Sequence, residues 1–298
     1  MTRHFTISAA IIAMAAPAFA ETVSIETALG AVELESQPET IAVLDIAQLD
    51  ILDALGVSGL NAPDKTYFPH LAEYGAGLGT LHEPDYEAIN ALAPDLVVAA
   101  NRSSSKVEDL SKLATTIDMT MRGYNLIDYT RTRITDYGTL FGLEDKAAEL
   151  VATLEAELSE TQELTEGRGN ALIVMTNGGK ISAYGAEGRF GWLHNELGLA
   201  PVIEDIETVT HGEAISFEFI AETNPDWILV LDRAAAIGQE GESAAATLNN
   251  SLVAGTTAGQ NGQIVYLPSA EVYVAGGGYT STIKLLDAVQ AAFGGTNS

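Results

Sequence analysis

The chain contains no cysteine. That excludes disulfides and thiolate metal sites, and it leaves no thiol for a lipid anchor, so the exported protein is predicted to be untethered. Basic residues are scarce: 14 Lys and Arg stand against 41 Asp and Glu, a formal net charge of −27. Such a chain is unsuited to nucleic acid or to anionic membrane surfaces. The plainest reading of the acidity is solubility, but it makes any cation placed near a cleft informative. Enzyme signatures are also missing. There is no GxSxG, HExxH or P-loop, and no GxGxxG behind a strand. The run Gly276-Gly277-Gly278 lacks the Lys and Ser/Thr of a phosphate loop and reads as a flexible turn. His70, His82 and His194 show no spacing that would hold zinc. The protein is therefore predicted not to be an enzyme and to have no intrinsic cofactor.

The first twenty residues, MTRHFTISAAIIAMAAPAFA, form an exception to the general composition. Arg3 and His4 precede an apolar stretch, and Ala18-Phe19-Ala20 fits a small-x-small cleavage site. This predicts a secretory signal removed after Ala20, and hence a periplasmic protein. The stretch is short for a membrane-spanning helix, and no later run is long and apolar enough for one. The signal holds one base and no acid, so the remainder is one unit more negative than the whole.

A single unit is used twice. DYEAINALAPDLVVAANR (85–102) aligns without a gap with SFEFIAETNPDWILVLDR (216–233). Glu87 falls on Glu218, Pro94-Asp95 on Pro225-Asp226, and Arg102 on Arg233. In each copy a short helix stops before a proline that cannot continue it. A brief apolar run follows, as expected of a strand buried on both faces. An arginine then sits at the strand's carboxyl end, where open α/β sheets bind ligands.

Further strands are predicted at 40–45, 171–176 and 263–267, and helices at 189–198 and 281–293. A short strand (23–35) precedes them. Between the halves, Leu150, Leu154 and Leu158 recur every four residues with nothing to break a helix before Gly167. The predicted architecture is α/β: two Rossmann-like lobes, 21–142 and 168–298, joined by one long rigid helix, 143–167, that links the lobes rather than filling a core.

Arg102 and Arg233 become cleft residues by their equivalence in the repeat. Arg189 opens a predicted helix, where a cation is unfavourable unless an anion is near. His211 lies beside Gly212 at the expected rim, and Tyr273 follows the last strand by a loop. Each has an ordinary structural reading as well. Together, however, three anion partners stand with two potential iron ligands, because phenolate is a hard donor suited to Fe(III) and imidazole also binds iron. Glu87 and Glu218 fall at helix starts, one per lobe, where a carboxylate is favourable.

The stretches EPDYEAINALAPDLVVAANR, GGKISAYGAEGRFGWLHNELG, THGEAISFEFIAETNPDWILVLDR and IVYLPSAEVYVAGGG resemble the periplasmic iron–siderophore binding proteins of ABC importers, closest to those for catecholates of the enterobactin and petrobactin type. The likeness runs from about residue 38 to 295 and is densest from 171 to 280. It implies a class III periplasmic binding protein with a helical backbone. It implies that Arg102, Arg189 and Arg233 form a basic floor for a ferric catecholate siderophore, the Fe(III) complex being the ligand. It further implies that His211 and Tyr273 complete the iron's shell when the siderophore offers too few oxygens, and that Glu87 and Glu218 contact an inner-membrane ABC permease dimer. The chain departs from the pattern at Val272, where many relatives carry an aromatic residue. A monomer is expected. Haem or corrinoid capture on the same fold is the alternative; haem would need an axial ligand but has less need of three arginines.

Overall fold

The structure, a computed structural model, describes residues 22–123, 125–204 and 212–295. The predicted signal, its cleavage site and His211 lie outside the described residues.

The repeat is visible in atomic detail. Asp85 caps the helix Tyr86–Leu92 by accepting the Ala88 N–H, and Ser216 caps Phe217–Thr223 through the Phe219 N–H. Both helices end on a left-handed residue, Ala93 (φ 49°) and Asn224 (φ 44°), immediately before the proline. The next residue is an aspartate with a definite task. Asp95 accepts the backbone N–H groups of Glu39 and Thr40 at 2.9 and 2.8 Å, and Asp226 accepts that of Asn170 at 2.9 Å. Each carboxylate thereby ties its own strand to the start of the neighbouring one.

Those strands form the centre of two sheets. β1 (Thr22–Thr27) and β2 (Gly30–Glu35) make a separate antiparallel hairpin. In the first lobe, β3 (Ile41–Val43), β4 (Leu60–Asn61), β5 (Leu96–Ala99) and β6 (Thr116–Asp118) lie parallel in the order β4-β3-β5-β6. In the second lobe, β7 (Asn170–Asn177), β8 (Lys180–Tyr184), β9 (Ala200–Pro201), β10 (Glu213–Ile215), β11 (Trp227–Asp232) and β12 (Ile264–Tyr266) form a mixed sheet. Its path is β10-β8-β7-β11-β12, with β9 beside β7. β7, β11 and β12 are parallel, while β8 and β10 run antiparallel along one edge. β5 is buried throughout and β11 nearly so, as parallel strands covered on both faces must be.

Three expectations need correction. The segment 23–35 is a hairpin rather than one strand: Gly30 (φ 108°) follows a tight turn, and Ile25 and Leu34 point inward. The connecting helix, Glu144–Thr165, is not a bare strut. Leu150 and Leu154 are buried, and the helix packs along both Leu126–Phe141 and the C-terminal helix Tyr279–Gly294. At about 1.5 Å per residue it is roughly 33 Å long, and it ends at Thr165, two residues before Gly167 (φ 69°).

Finally, Gly276–Gly278 is more than a flexible turn. The chain crosses there from the second lobe back to the first. Gly278 caps the C-terminal helix without a side chain, and Asp50, fully buried on the first-lobe helix Ile46–Leu55, accepts the Ser281 N–H at 2.9 Å in its place. A Cβ on Gly278 would lie 2.4 Å from the Asp50 carboxylate. The far end of the same helix stacks Phe293 on Trp227, with ring centroids 3.8 Å apart. Apolar spacing predicted this helix, yet it lies against the first lobe as well as the second.

Gly278→Ala is expected to lower stability by about 1–3 kcal/mol, the usual range for forcing an extra carbon into a packed site. Urea unfolding of the variant measures this. An unchanged midpoint would show that the Asp50 cradle is looser than the geometry implies.

Candidate binding site

The carboxyl ends of β5, β7 and β11 face the opening between the lobes. At the end of β5 the backbone turns through Asn101, a left-handed residue (φ 47°) whose amide donates to Asp45 at 3.2 Å. That turn sends Arg102 across to the second lobe. Its guanidinium donates to the Tyr273 carbonyl at 2.8 Å and the Val274 carbonyl at 3.4 Å.

At the end of β11, Asp232 accepts the N–H groups of Ala235 (3.0 Å) and Ala244 (2.8 Å), so its carboxylate is engaged in capping. Arg233 is left to donate to the Tyr273 hydroxyl at 3.2 Å and the Asn177 side-chain oxygen at 3.4 Å. Arg189 reaches the same Tyr273 carbonyl at 3.0 Å. The helix it was expected to open begins later, at Trp192, and runs only to Asn195. Arg189 stands instead in the preceding turn, where Gly191 packs so tightly that a Cβ would lie 1.9 Å from the Ala186 oxygen.

Tyr273 was expected on a loop and is the last residue of a short helix, Ser269–Tyr273. The guanidinium carbons of Arg189, Arg102 and Arg233 lie 4.4, 5.5 and 5.8 Å from its ring centroid. Three cations, from three separate elements of two lobes, thus converge on one half-buried phenol. Burial by itself would raise the Tyr273 pKa. The Arg233 hydrogen bond and the Arg189 charge outweigh it and hold the phenol below its ordinary value. Arg189 is depressed in turn, by burial first, with Arg102's like charge among the further causes. Beneath them Tyr184 is buried, which pushes its pKa up to about 12. Tyr184 meets Phe190 edge-on at 4.7 Å.

A cavity of about 270 Å³ opens beside this cluster, lined by Asn101, Arg102 and Met121 of the first lobe and by Arg189, Trp192 and Val272 of the second, among others. A larger hollow of about 370 Å³, under the hairpin at the amino ends of β3 and β5, is lined by Glu33, Glu35, Glu39 and Asp95. Its carboxylates would repel an anion, so the interlobe cavity is the better candidate despite its smaller volume.

Of the sequence-predicted residues, Arg102, Arg189, Arg233 and Tyr273 come together. His211 lies outside the described residues, but its neighbour Gly212 (φ 74°) rests on Tyr184: a Cβ there would be 2.7 Å from the phenol ring. Only glycine fits that position. Glu87 and Glu218 are exposed in the first turns of the two matching helices, one per lobe, and are not part of the cavity. Val272 is buried against the cavity wall. Sequence reading did not single out Asn101, Asn177 or Trp192 as site residues, although Asn101 and Asn177 sit at strand carboxyl ends. Among the described residues, no three His, Asp or Glu side chains converge as a metal site would require.

A profile described as "Periplasmic binding protein" matches residues 41–271. The petrobactin-binding protein YclQ of Bacillus subtilis is 32% identical over 265 residues, covering 87% of this chain and 83% of its own. The ferric-anguibactin-binding protein FatB of Vibrio anguillarum is 33% identical over 88% of this chain and 85% of its own. Crystal structures of YclQ and of the catecholate-siderophore binding protein VctP of Vibrio cholerae superpose with TM-scores of 0.85 and 0.84, at 30% and 31% identity. They cover 92% and 91% of this chain and 99% and 100% of theirs.

The depressed phenol is directly measurable. Of ten tyrosines, Tyr273 is expected to ionise below the ordinary value of about 10. In alkaline titration by phenolate absorbance, that early step should vanish in Tyr273→Phe. Because the folded pKa is the lower one, the linked stabilisation is complete above about pH 10 and disappears as pH falls through the folded value. Identical titration curves for wild type and variant would refute the arrangement.

Proposed function

This chain belongs to the periplasmic binding protein family, and from that membership we propose that it captures a ferric catecholate siderophore between its lobes and delivers it to an inner-membrane ABC permease. It is a substrate-binding protein of the class III, TroA-like fold and not an enzyme. Its place is extracytoplasmic, as the family's is; the narrower reading is a periplasmic monomer released from its signal after Ala20. The observation that carries the proposal is the convergence of Arg102, Arg189 and Arg233 on Tyr273 at the strand ends.

Physical chemistry supports the assignment. A ferric tris-catecholate carries about three negative charges, and the protein is itself strongly acidic. Exposed charges farther away than about 10 Å are screened at 0.1 M salt. Guanidinium groups at contact distance in a partly dry cleft each contribute more than the ~1 kcal/mol of a comparable pair in water. The local floor therefore governs affinity, and the distant acids act mainly on encounter. In this reading His211 and Tyr273 complete the iron shell of ligands with too few oxygens, and Glu87 and Glu218 dock the two halves of the permease. The relatives' siderophore ligands favour this over haem or corrinoid capture.

Trp192 lines the cavity, so its fluorescence reports occupancy. Arg189→Ala combined with Arg233→Ala should weaken ferric-catecholate binding on the order of a hundredfold or more, since hydrogen bonds to charged groups contribute about 1.5–3 kcal/mol each. Unchanged affinity in that double variant would sink the basic floor. A ferric catecholate with four donor oxygens should shift its visible charge-transfer band on binding, and Tyr273→Phe should abolish the shift. Binding without any shift would leave Tyr273 as lining only.

A further inference from the structure

Four of the six lysines are ion-paired: Lys106 with Glu83, Lys112 with Asp109, Lys146 with Glu149 and Lys284 with Glu271. Among the described residues, Lys65 and Lys180 have no carboxylate partner. Among the described residues the Lys180 side chain makes no hydrogen bond, so none of them fixes its direction. Lys65 is fixed. From the first lobe it donates across the opening to the Ile237 carbonyl at 2.7 Å, and its ammonium lies 4.5 Å from the centre of the Tyr67 ring. Ile237 is the last residue of the five-residue helix that Arg233 begins. Four residues of helix rise span about 6 Å, so Lys65 stands one short helix away from the arginine cluster.

The loop that carries Lys65 is held under strain. Tyr67 has φ 68°, a conformation unusual for a bulky side chain. Backbone outliers of this kind persist only where their surroundings enforce them, and they concentrate at ligand clamps. Thr66 beside it is buried, while Lys65 is exposed. In so acidic a chain, a cation held at the cleft mouth by a neutral carbonyl and a ring face is available for exchange. A hydrogen bond to an anion is roughly twice as strong as one to a neutral acceptor, and the exposed helix end can return its carbonyl to water.

We propose that Lys65 is a specificity-determining residue of this cleft. Its ammonium leaves the Ile237 carbonyl to pair with a carboxylate or catecholate oxygen on the outer edge of the bound iron complex, adding a fourth positive charge, the second from the first lobe. The inference rests on the function proposed above. It assigns the protein a preference for complexes of higher negative charge.

The test compares two ferric complexes, a six-oxygen tris-catecholate of charge −3 and a four-oxygen bis-catecholate of charge −1. Each is titrated against wild type, Lys65→Met, Lys65→Arg and the surface control Lys112→Met. Lys65→Met should weaken the trianion about tenfold and the monoanion distinctly less. It should also flatten the salt dependence of trianion binding. Lys65→Arg should restore most of the loss, and Lys112→Met should match wild type. Tight wild-type binding with less than twofold change in Lys65→Met would overturn the proposal, as would equal losses for both complexes. Faster association with tighter binding would identify Lys65 as a latch and overturn it too. If wild type binds neither complex, the siderophore reading itself fails, and the role of Lys65 fails with it.

Discussion

One oxygen atom organises this molecule. The Tyr273 carbonyl accepts guanidinium N–H groups from both lobes, Arg102 on one side and Arg189 on the other. Holding like charges this close is unfavourable unless something electron-rich sits among them. Here a carbonyl, a phenol ring and a hydroxyl serve that purpose together. They are neutral acceptors, and so the cluster retains its positive field. An anion entering the cleft meets cations that are already gathered and oriented, with their ordering cost met during folding.

The repeat shows how one sequence unit is put to two uses. Arg102 and Arg233 occupy equivalent places, each at the carboxyl end of a central strand behind a capped helix and a stapling aspartate. One reaches across to the backbone of the other lobe, and the other binds a hydroxyl within its own. The difference lies in the turn that follows each strand. Asn101 adopts a left-handed turn, whereas Asp232 starts a new helix at once. Equivalent positions are thereby converted into two complementary walls of one site.

Much of this was legible beforehand because it depends on local chemistry. Proline after a short helix, an apolar run and a terminal arginine are encoded within eighteen residues, and leucines every four residues reveal the connecting helix. What escaped depends on contacts between distant segments. Arg189 reads as a helix opener until the tight packing of Gly191 delays the helix. Gly278 reads as loose until Asp50, more than two hundred positions away, occupies the space of its missing side chain. Spacing finds the C-terminal helix but not the lobe it lies against, because amphipathic periodicity specifies a buried face and says nothing about its partner. Asn177 and Asn101 were within reach, since the rule that strand ends bear ligands covers amides as well as arginines.

The return of the chain through Gly276–Gly278 has a mechanical consequence. A body attached to another by a single rod can swing and also twist about that rod. The second lobe is attached twice: once by the helix Glu144–Thr165, and again by a helix whose tip is seated on Asp50 and whose far end stacks on Trp227. Two attachments suppress the twist and leave rotation about the line that joins them, as with a lid on paired hinges. The exposed Glu87 and Glu218, one on each lobe, would then change their separation and tilt without swivelling about the connecting helix. Motion of the second lobe is thereby confined to a single axis, and both lobes move as preformed pieces.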